Sequence, residues 1–447
     1  MNRNSSFFAS VCALAIPVAL QSMLQASFSI VDQIMIGQLG SVSVAGVGLA
    51  GKFASIYSVI VSAVGVVAGI MISQYLGQKN RREVRRSFLV NLLIAVGLAG
   101  LFSLLCGGFP AQIMGLYTTD APMRQAAASY LAILTATFLP IAGATLLSTL
   151  LRCMEKAQLP LYASIASAVL NTGLNYVLIF GKLGLPVMGA SGAAIATVIS
   201  TWVNFLLMLA MLGSHGSFLK KVGDSTQKIG KFNLKQYLSM LLPILVCEFL
   251  WSLGENIYAA IYGHMGTDAS AAMTLINPVQ SLVIGALCGL SQAASVIIGK
   301  KLGSREYDQA YRDSWRLIRY GLFGAVILSV LVILASPLYV QIYQVDAEVK
   351  LLTRQILLAY ALIAPFKVLN MIAGGGIVRS GGKTNYVMVV DMIGTWVFGV
   401  PLGLLSAFVW KLSIPYVYFI LSLEECVRFA ITVFILRGKR WMQSLEG

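Results

Sequence analysis

Hydrophobic residues run along the chain in long blocks, and short polar segments, many with lysine or arginine, separate them. Each block is long enough to cross a bilayer as a helix, which takes about 20 mostly apolar residues. The blocks lie at roughly 7–37, 44–76, 87–109, 126–151, 159–181, 188–213, 237–262, 270–302, 315–337, 353–378, 384–409 and 413–436. The pattern predicts an all-α membrane protein with twelve transmembrane helices.

The composition agrees with this interpretation. Of the 447 residues, 58% are hydrophobic and 11% are charged, and the mean hydropathy is +0.81. Soluble domains carry about 25% charged residues, so this chain has too few charges to cover a water-facing surface. The first block, which starts at Phe7, is too long for the apolar core of a cleavable signal and is interpreted as a retained first transmembrane helix.

The positive charge is distributed unevenly between the two sides of the predicted membrane. With the N-terminus placed in the cytoplasm, 24 of the 32 lysines and arginines fall in cytoplasmic segments and 5 in outer loops. Such a bias sets the orientation of membrane helices. It predicts a multi-pass protein of the cell membrane, in bacterial terms the inner membrane, with both termini cytoplasmic. It also explains the net charge of +15 without a nucleic-acid partner.

The two halves of the chain repeat each other. Residues 17–80 align without a gap to the residues 226 positions later, so that Pro17 meets Pro243 and Leu76–Gly77 meets Leu302–Gly303. Six helices separate the copies, which predicts two six-helix bundles related by a pseudo-twofold axis along the membrane normal. The predicted division is an N-terminal lobe at 1–213, a cytoplasmic linker at 214–236 and a C-terminal lobe at 237–447. Such bundles enclose a central cleft in alternating-access transporters.

A polar stripe follows the first predicted helix. Gln21, Gln25, Ser29 and Asp32 are spaced by 4, 4 and 3 residues, which places them on one helical face. A carboxylate near the bilayer centre costs roughly 2.5–3.5 kcal/mol on insertion scales, so it faces the interior or a wet cavity and marks an ion or substrate path. Asp32 is therefore a candidate ion-coupling residue. The alternative is a structural carboxylate that caps a break in a neighbouring backbone.

The seventh predicted helix carries a similar stripe. Glu248, Ser252 and Glu255 are spaced by 4 and 3 residues. Two acids on one face repel when both are ionised, so Glu248 or Glu255 is expected to carry a proton or to help hold Na⁺. The alternative is a hydrogen bond between helices.

Other polar residues within the blocks are candidates for a substrate cavity. The fifth predicted helix has a stripe at Ser164, Ser167, Asn171 and Asn175. It suits substrate contact or cation coordination by amide oxygens, or else bonding between helices. Lys52, Lys367 and Asp391 also lie within blocks, and Lys367 could neutralise an acid of the C-terminal half. Glu424 and Arg428 are one turn apart and are interpreted as a structural pair.

Catalytic and metal-binding motifs do not occur in the sequence. The six cysteines are scattered without a CxxC pair, there are two histidines, and HExxH, GxSxG and the nucleotide-binding GxxxxGK[ST] are missing. The prediction is a protein that is not an enzyme and has no cofactor. Active transport would then draw on a gradient of H⁺ or Na⁺.

Four segments carry a resemblance to a known family: 31-VDQIMIGQLG-40, 73-SQYLGQKN-80, 171-NTGLNYVLIFGKLGLPVMGASGAAIAT-197 and 374-GGGIVRSGGKTNY-386. In their order and spacing the chain resembles the multidrug and toxic compound extrusion (MATE) transporters, with features between the NorM-like and DinF-like branches. The resemblance implies two six-helix lobes that form a V, and export of cationic or amphipathic small molecules by antiport against H⁺ or Na⁺. A monomer among membrane lipids is expected.

The resemblance also assigns residues of the N-terminal half. Asp32 matches the helix-1 acid that family members use in ion coupling, and Asn171 matches a polar position of DinF-like members. The DinF-like aspartate of the fifth helix falls at Asn175, so a proton site that depends on that pair is altered here.

In the C-terminal half the NorM-like acid of the tenth helix falls near Val368, beside Lys367 and Asn370, so that cation site is altered too. The helix-7 acid has two candidates, Glu248 and Glu255. A flippase for lipid-linked precursors or polysaccharides, from the same superfamily, is the alternative function. Such a flippase would need a more basic cavity than the mixed charges of this chain suggest.

Overall fold

A computed structural model describes residues 3–39, 41–214, 233–343 and 345–445. Within these residues the fold is all-helical and has no β-strand. The helices of the N-terminal half are α1 (Arg3–Gly37), α2 (Ser41–Gly77), α3 (Arg81–Gly108), α4 (Pro110–Gly115), α5 (Ala121–Cys153), α6 (Gln158–Phe180) and α7 (Gly189–Ser214). Those of the C-terminal half are α8 (Leu234–His264), α9 (Thr267–Gly303), α10 (Tyr307–Gln341), α11 (Ala347–Asn370), α12 (Thr384–Met392), α13 (Val400–Leu404), α14 (Ile414–Ser422) and α15 (Glu424–Arg437).

The described residues contain eleven helical segments that are long and apolar enough to cross a membrane. They coincide with the first eleven predicted blocks and confirm the all-α membrane fold. The twelfth block consists of two shorter helices, α14 and α15, which meet at Leu423. Backbone hydrogen bonds between residues three positions apart occur at this junction, from Leu423 N to Ile420 O (3.2 Å) and from Cys426 N to Leu423 O (3.0 Å).

The chain forms two compact units. The C-terminal unit comprises Met1–Ala19, Ser73–Lys79 and Phe232–Gly447, and the N-terminal unit comprises Leu20–Ile72 and Asn80–Lys231. Residues 3–19 and 73–79 thus pack with the C-terminal half. The division into lobes at 1–213 and 237–447 by chain order stays a prediction, and most of the linker predicted at 214–236 lies outside the described residues.

Close helix contacts occur at the glycines that the repeat relates. A Cβ atom on Gly77 would collide with the backbone carbonyl of Lys300, and one on Gly303 would collide with that of Gln74. The ends of α2 and α9 therefore approach backbone to backbone, which only small residues permit. In the N-terminal unit Gly65 packs in a similar way, since a Cβ atom there would lie 3.0 Å from Thr145 Cγ2.

Three π-helical segments extend the helices of the C-terminal unit, at Met371–Val378, Ile393–Gly399 and Leu405–Val409. In the second segment two glycines leave room for neighbouring polar and charged side chains. A Cβ on Gly394 would collide with the Arg428 side chain, and one on Gly399 would collide with Tyr258 Oη and Glu424. Short π-helical segments often lie at functional sites, and this one borders the charged cluster described below.

Large apolar side chains cover the outside of both units. Examples are Leu93 (70% exposed), Leu104 (75%), Phe323 (71%) and Phe434 (80%). In water such extended apolar surfaces would favour aggregation, whereas lipid chains cover them without cost. The surface therefore fits a multi-pass membrane protein.

Candidate functional site

A polar cluster in the N-terminal unit surrounds Asp32, which is half-buried on α1. The Asn175 amide nitrogen, on α6, donates to Asp32 Oδ1 at 2.8 Å. The Asn171 amide nitrogen, in the orientation that satisfies its neighbours, lies 3.0 and 3.1 Å from the two carboxylate oxygens, while its oxygen accepts from Ser200 Oγ at 3.2 Å. An ionised carboxylate accepts hydrogen bonds and donates none, so amide donors are its natural partners. We call Asp32, Asn171, Asn175 and Ser200 the Asp32 cluster.

The Asp32 cluster has free acceptors. Asp32 has no lysine or arginine within ion-pair distance among the described residues, and Asn175 Oδ1 is buried without a hydrogen-bond partner. A carboxylate with an adjacent free amide oxygen can take up a proton or coordinate a small cation.

The polar residues of the predicted stripe on α1 do not all join one cluster. Gln21 is buried; its amide nitrogen donates to Ser164 Oγ at 2.7 Å, and its oxygen accepts from Arg152 at 2.9 Å. Gln25 and Ser29 are exposed, and neither belongs to the Asp32 cluster. Of the polar cavity residues predicted on α1, the structure therefore places Gln21 in a separate network of hydrogen bonds.

The second cluster lies in the C-terminal unit, around two acids at the start of α15. Tyr258 Oη donates to Glu424 Oε2 at 2.7 Å, and Asn370 Nδ2 donates to Glu425 Oε2 at 2.8 Å. Arg428 lies 3.5 Å from Glu424 and 4.0 Å from Glu425. We call Glu424, Glu425, Arg428 and their neighbour Asp391 the α15 acid cluster.

Asp391 joins this cluster through Arg428, whose Nη1 lies 3.7 Å from Asp391 Oδ1. The thiol of Cys247 donates to the other carboxylate oxygen at 2.8 Å. The arginine also donates to Thr395 Oγ1. The one-turn pairing of Glu424 with Arg428 is confirmed, and the same arginine serves three acids.

A cavity of about 230 Å³ opens beside this cluster within the C-terminal unit. Its lining includes Glu255, Lys367, Glu424 and Glu425 together with tyrosines and uncharged polar groups. Asp391 does not line it. Glu248 does not line it either; it is half-buried and makes no hydrogen bond or ion pair with the described residues. Of the two candidates on α8, only Glu255 thus faces this cavity.

The sequence predicts a possible Na⁺ site at Glu255, Glu248 or Asp32, and this stays a prediction. Asp32 belongs to the N-terminal unit, whereas Glu248 and Glu255 belong to the C-terminal unit. Within the part of the chain that the structure describes, no three His, Cys, Asp or Glu side chains gather around a common metal position. Lys52 is exposed on α2.

Glu425 is the cavity acid that the sequence analysis missed. The signal was present, because Glu424 and Glu425 are two consecutive acids inside the twelfth apolar block. Only the pairing of Glu424 with Arg428 one turn later was inferred. Consecutive helix residues point in different directions, so the sequence did not predict that both acids would line one cavity.

The all-helical fold, with its two polar clusters between apolar helices, defines a polytopic membrane protein, and comparison with known proteins identifies it as a transporter rather than an enzyme. A sequence model of the MatE family matches residues 17–177 and 243–405. The chain belongs to this family. The two matched segments begin 226 residues apart, which is the offset of the internal repeat.

Relatives and solved structures agree with the family. The chain is similar to the probable multidrug resistance protein NorM of Pasteurella multocida (27% identical over 403 residues, 87% of this chain and 84% of that protein). It is also similar to the NorM protein of Bacillus anthracis (23% over 409 residues, 88% and 87%). A solved outward-facing structure of a multidrug resistance MATE family transporter has a TM-score of 0.86 at 18% identity and covers 96% of both chains. The fold is thus the two-bundle, all-helical fold of MATE transporters.

Proposed function

We propose that this protein is a secondary active exporter that extrudes cationic or amphipathic small molecules, including several drugs, in exchange for H⁺ or Na⁺ by alternating access. The observation that carries the proposal is Asp32: a carboxylate within a membrane-spanning helix that is held by amide groups and has no cationic partner among the described residues. An intramembrane acid is costly, and without a counter-ion it marks an ion path.

The Asp32 cluster suits reversible ion binding. The Asn171 and Asn175 amides fix the orientation of the carboxylate without neutralising it, and Asn175 Oδ1 offers one further oxygen. For the ion to drive transport, it must bind the two conformations of the transporter with different affinity, because an ion with equal affinity for both shifts nothing.

The cavity of the C-terminal unit is the second proposed binding location. Its lining carries three glutamates and one lysine, so it offers carboxylates to the cationic group of a substrate. This acidic character also speaks against a lipid-linked precursor flippase, which would hold a pyrophosphate in a basic cavity. Cytoplasmic placement of both termini, with the basic loops inside, belongs to the same proposal.

The decisive test is the variant Asp32→Asn in proteoliposomes and in a host that lacks its own drug pumps. The amide keeps the size of the side chain but cannot take up a proton or balance a cation. We expect drug resistance to be lost and ethidium transport to fall to background, at unchanged expression.

The control is Asp120→Asn, because Asp120 is exposed in the loop before α5; this variant should transport normally. Transport is driven separately by a proton gradient and by a sodium gradient, which identifies the coupling ion. Full resistance in Asp32→Asn would reject the coupling role.

A further inference from the structure

Lys367 places a positive charge inside a membrane-spanning segment, close enough to Glu424 for an electrostatic interaction. It lies in Ala347–Val378, eleven residues before the end of that span, so about 16 Å from it along the helix axis. Among the described residues it has neither a hydrogen bond nor an ion pair, and its half-buried side chain lines the cavity beside α15. An intramembrane ionisable residue is a functional-site hypothesis by default.

The other charged side chains of this cavity differ in whether they already have hydrogen-bond or ion-pair partners. Glu424 is held by Tyr258 and Arg428, and Glu425 by Asn370 and Arg428. Glu255 is exposed and makes no hydrogen bond or ion pair with the described residues. The cavity therefore presents one carboxylate and one ammonium group, Glu255 and Lys367, that are both available to a ligand.

We propose that Lys367 is a specificity-determining residue: it binds the acidic group of an amphoteric substrate, whose amine is bound by Glu255 in the same cavity. The inference rests on the proposed function, since it names the substrate class of the transporter. Tyr262 and Tyr418 also line this cavity. At about 230 Å³ the cavity is smaller than the roughly 300–1,000 Å³ of sites for drug-sized ligands, so it would enclose only the charged end of a larger compound.

Two dyes separate the charge of the ligand from its shape. Rhodamine 110 carries a carboxylate beside its cationic ring system, and rhodamine 123 is its methyl ester. Binding of each dye to the purified full-length protein is measured by fluorescence polarisation. We expect the wild type to prefer rhodamine 110. In Lys367→Met the affinity for rhodamine 110 should fall by about tenfold or more, as for the loss of a charged hydrogen bond. The affinity for rhodamine 123 should not fall.

Three variants serve as controls. Lys367→Arg keeps the charge and should keep the preference. Lys52→Met removes the membrane lysine of the other unit, which is exposed, and should leave the ratio of the two affinities unchanged. Glu255→Gln should lower the affinity for both dyes by the same factor, because both carry the cationic ring system.

Equal affinity of the wild type for the two dyes would overturn the proposal, as would an affinity ratio in Lys367→Met that matches the wild type. Because the measurement uses no ion gradient, its outcome does not depend on whether Asp32 couples transport. A failure of ion coupling in Asp32→Asn and a failure of selectivity in Lys367→Met are therefore separate results.

Discussion

Asp32 and Arg428 show two ways in which this protein holds a charge within the membrane. Asp32 accepts hydrogen bonds from neutral amides and has no cationic partner among the described residues. Arg428 is surrounded by Glu424, Glu425 and Asp391, so its charge is more than balanced. The first arrangement leaves room for an exchangeable ion, whereas the second is a fixed structural cation.

Arg428→Met is therefore expected to destabilise the protein strongly. Removing one partner of a buried ion pair leaves uncompensated charge and costs about 3–5 kcal/mol, here with three acids left behind. Thermal unfolding of the purified protein in detergent should show a large drop in Tm. The double variant Arg428→Met/Glu424→Gln should recover part of that loss, because one of the stranded charges is removed. A Tm of Arg428→Met equal to that of the wild type would show that the arginine does not stabilise the α15 acid cluster.

At the scale of elements, the helices are set by hydropathy and their contacts by small residues. Gly77 and Gly303 allow α2 and α9 to approach so closely that a single methyl group would meet backbone atoms. The repeat relates these glycines, and the structure brings them to the same crossing. In the lipid phase, where apolar burial gives little preference for one contact over another, such packing decides which helix faces meet.

Gly77→Ala tests this crossing. The added Cβ would collide with the Lys300 carbonyl, and backbone atoms cannot rotate aside as a side chain can, so overpacking should cost about 1–3 kcal/mol. The matched control is Gly97→Ala on α3, where no atom lies within 4 Å of the new Cβ. Alanine is the better helix former by up to about 1 kcal/mol, so this control should be neutral or slightly more stable. Equal Tm values for the two variants would argue against the close crossing.

At the scale of the whole molecule, residues 441–445, here called the C-terminal tail, contact parts of the C-terminal unit that are distant in sequence. Gln74 accepts from Leu445 N at 2.7 Å and donates to Ser380 O at 2.7 Å, and Gln78 donates to Leu445 O at 2.6 Å. Trp441 is fully buried. The end of the chain thus completes the packing around the end of α2, more than 360 residues earlier.

Trp441→Ala should therefore weaken this region. Truncating a buried tryptophan costs about 3–5 kcal/mol, and we expect a lower Tm together with faster amide hydrogen exchange at residues 73–79. Trp410→Ala is the control, because Trp410 is 53% exposed and should leave both measurements near the wild-type values. If both tryptophan variants behave alike, the tail is not packed as the structure shows.

The sequence by itself determined the membrane class, the helices and the internal repeat. These depend on the apolar content of each segment, which adds up locally and needs no partner. The continuity of the last helix was the exception, because neither proline nor glycine marks the break at Leu423, and Pro415 lies at the start of the segment. Among the site residues, Asp32, Asn171 and Asn175 were predicted individually.

Only the tertiary structure decided which of these residues meet. Asn175 lies 143 positions from Asp32 and donates to it, while Gln25 and Ser29 on the same predicted stripe do not join the cluster. A helix that is apolar almost all round has no strongly preferred inward face, so periodicity alone does not say which polar residue faces which neighbour. Lys367 and the acids of α15 line one cavity because of such contacts between helices.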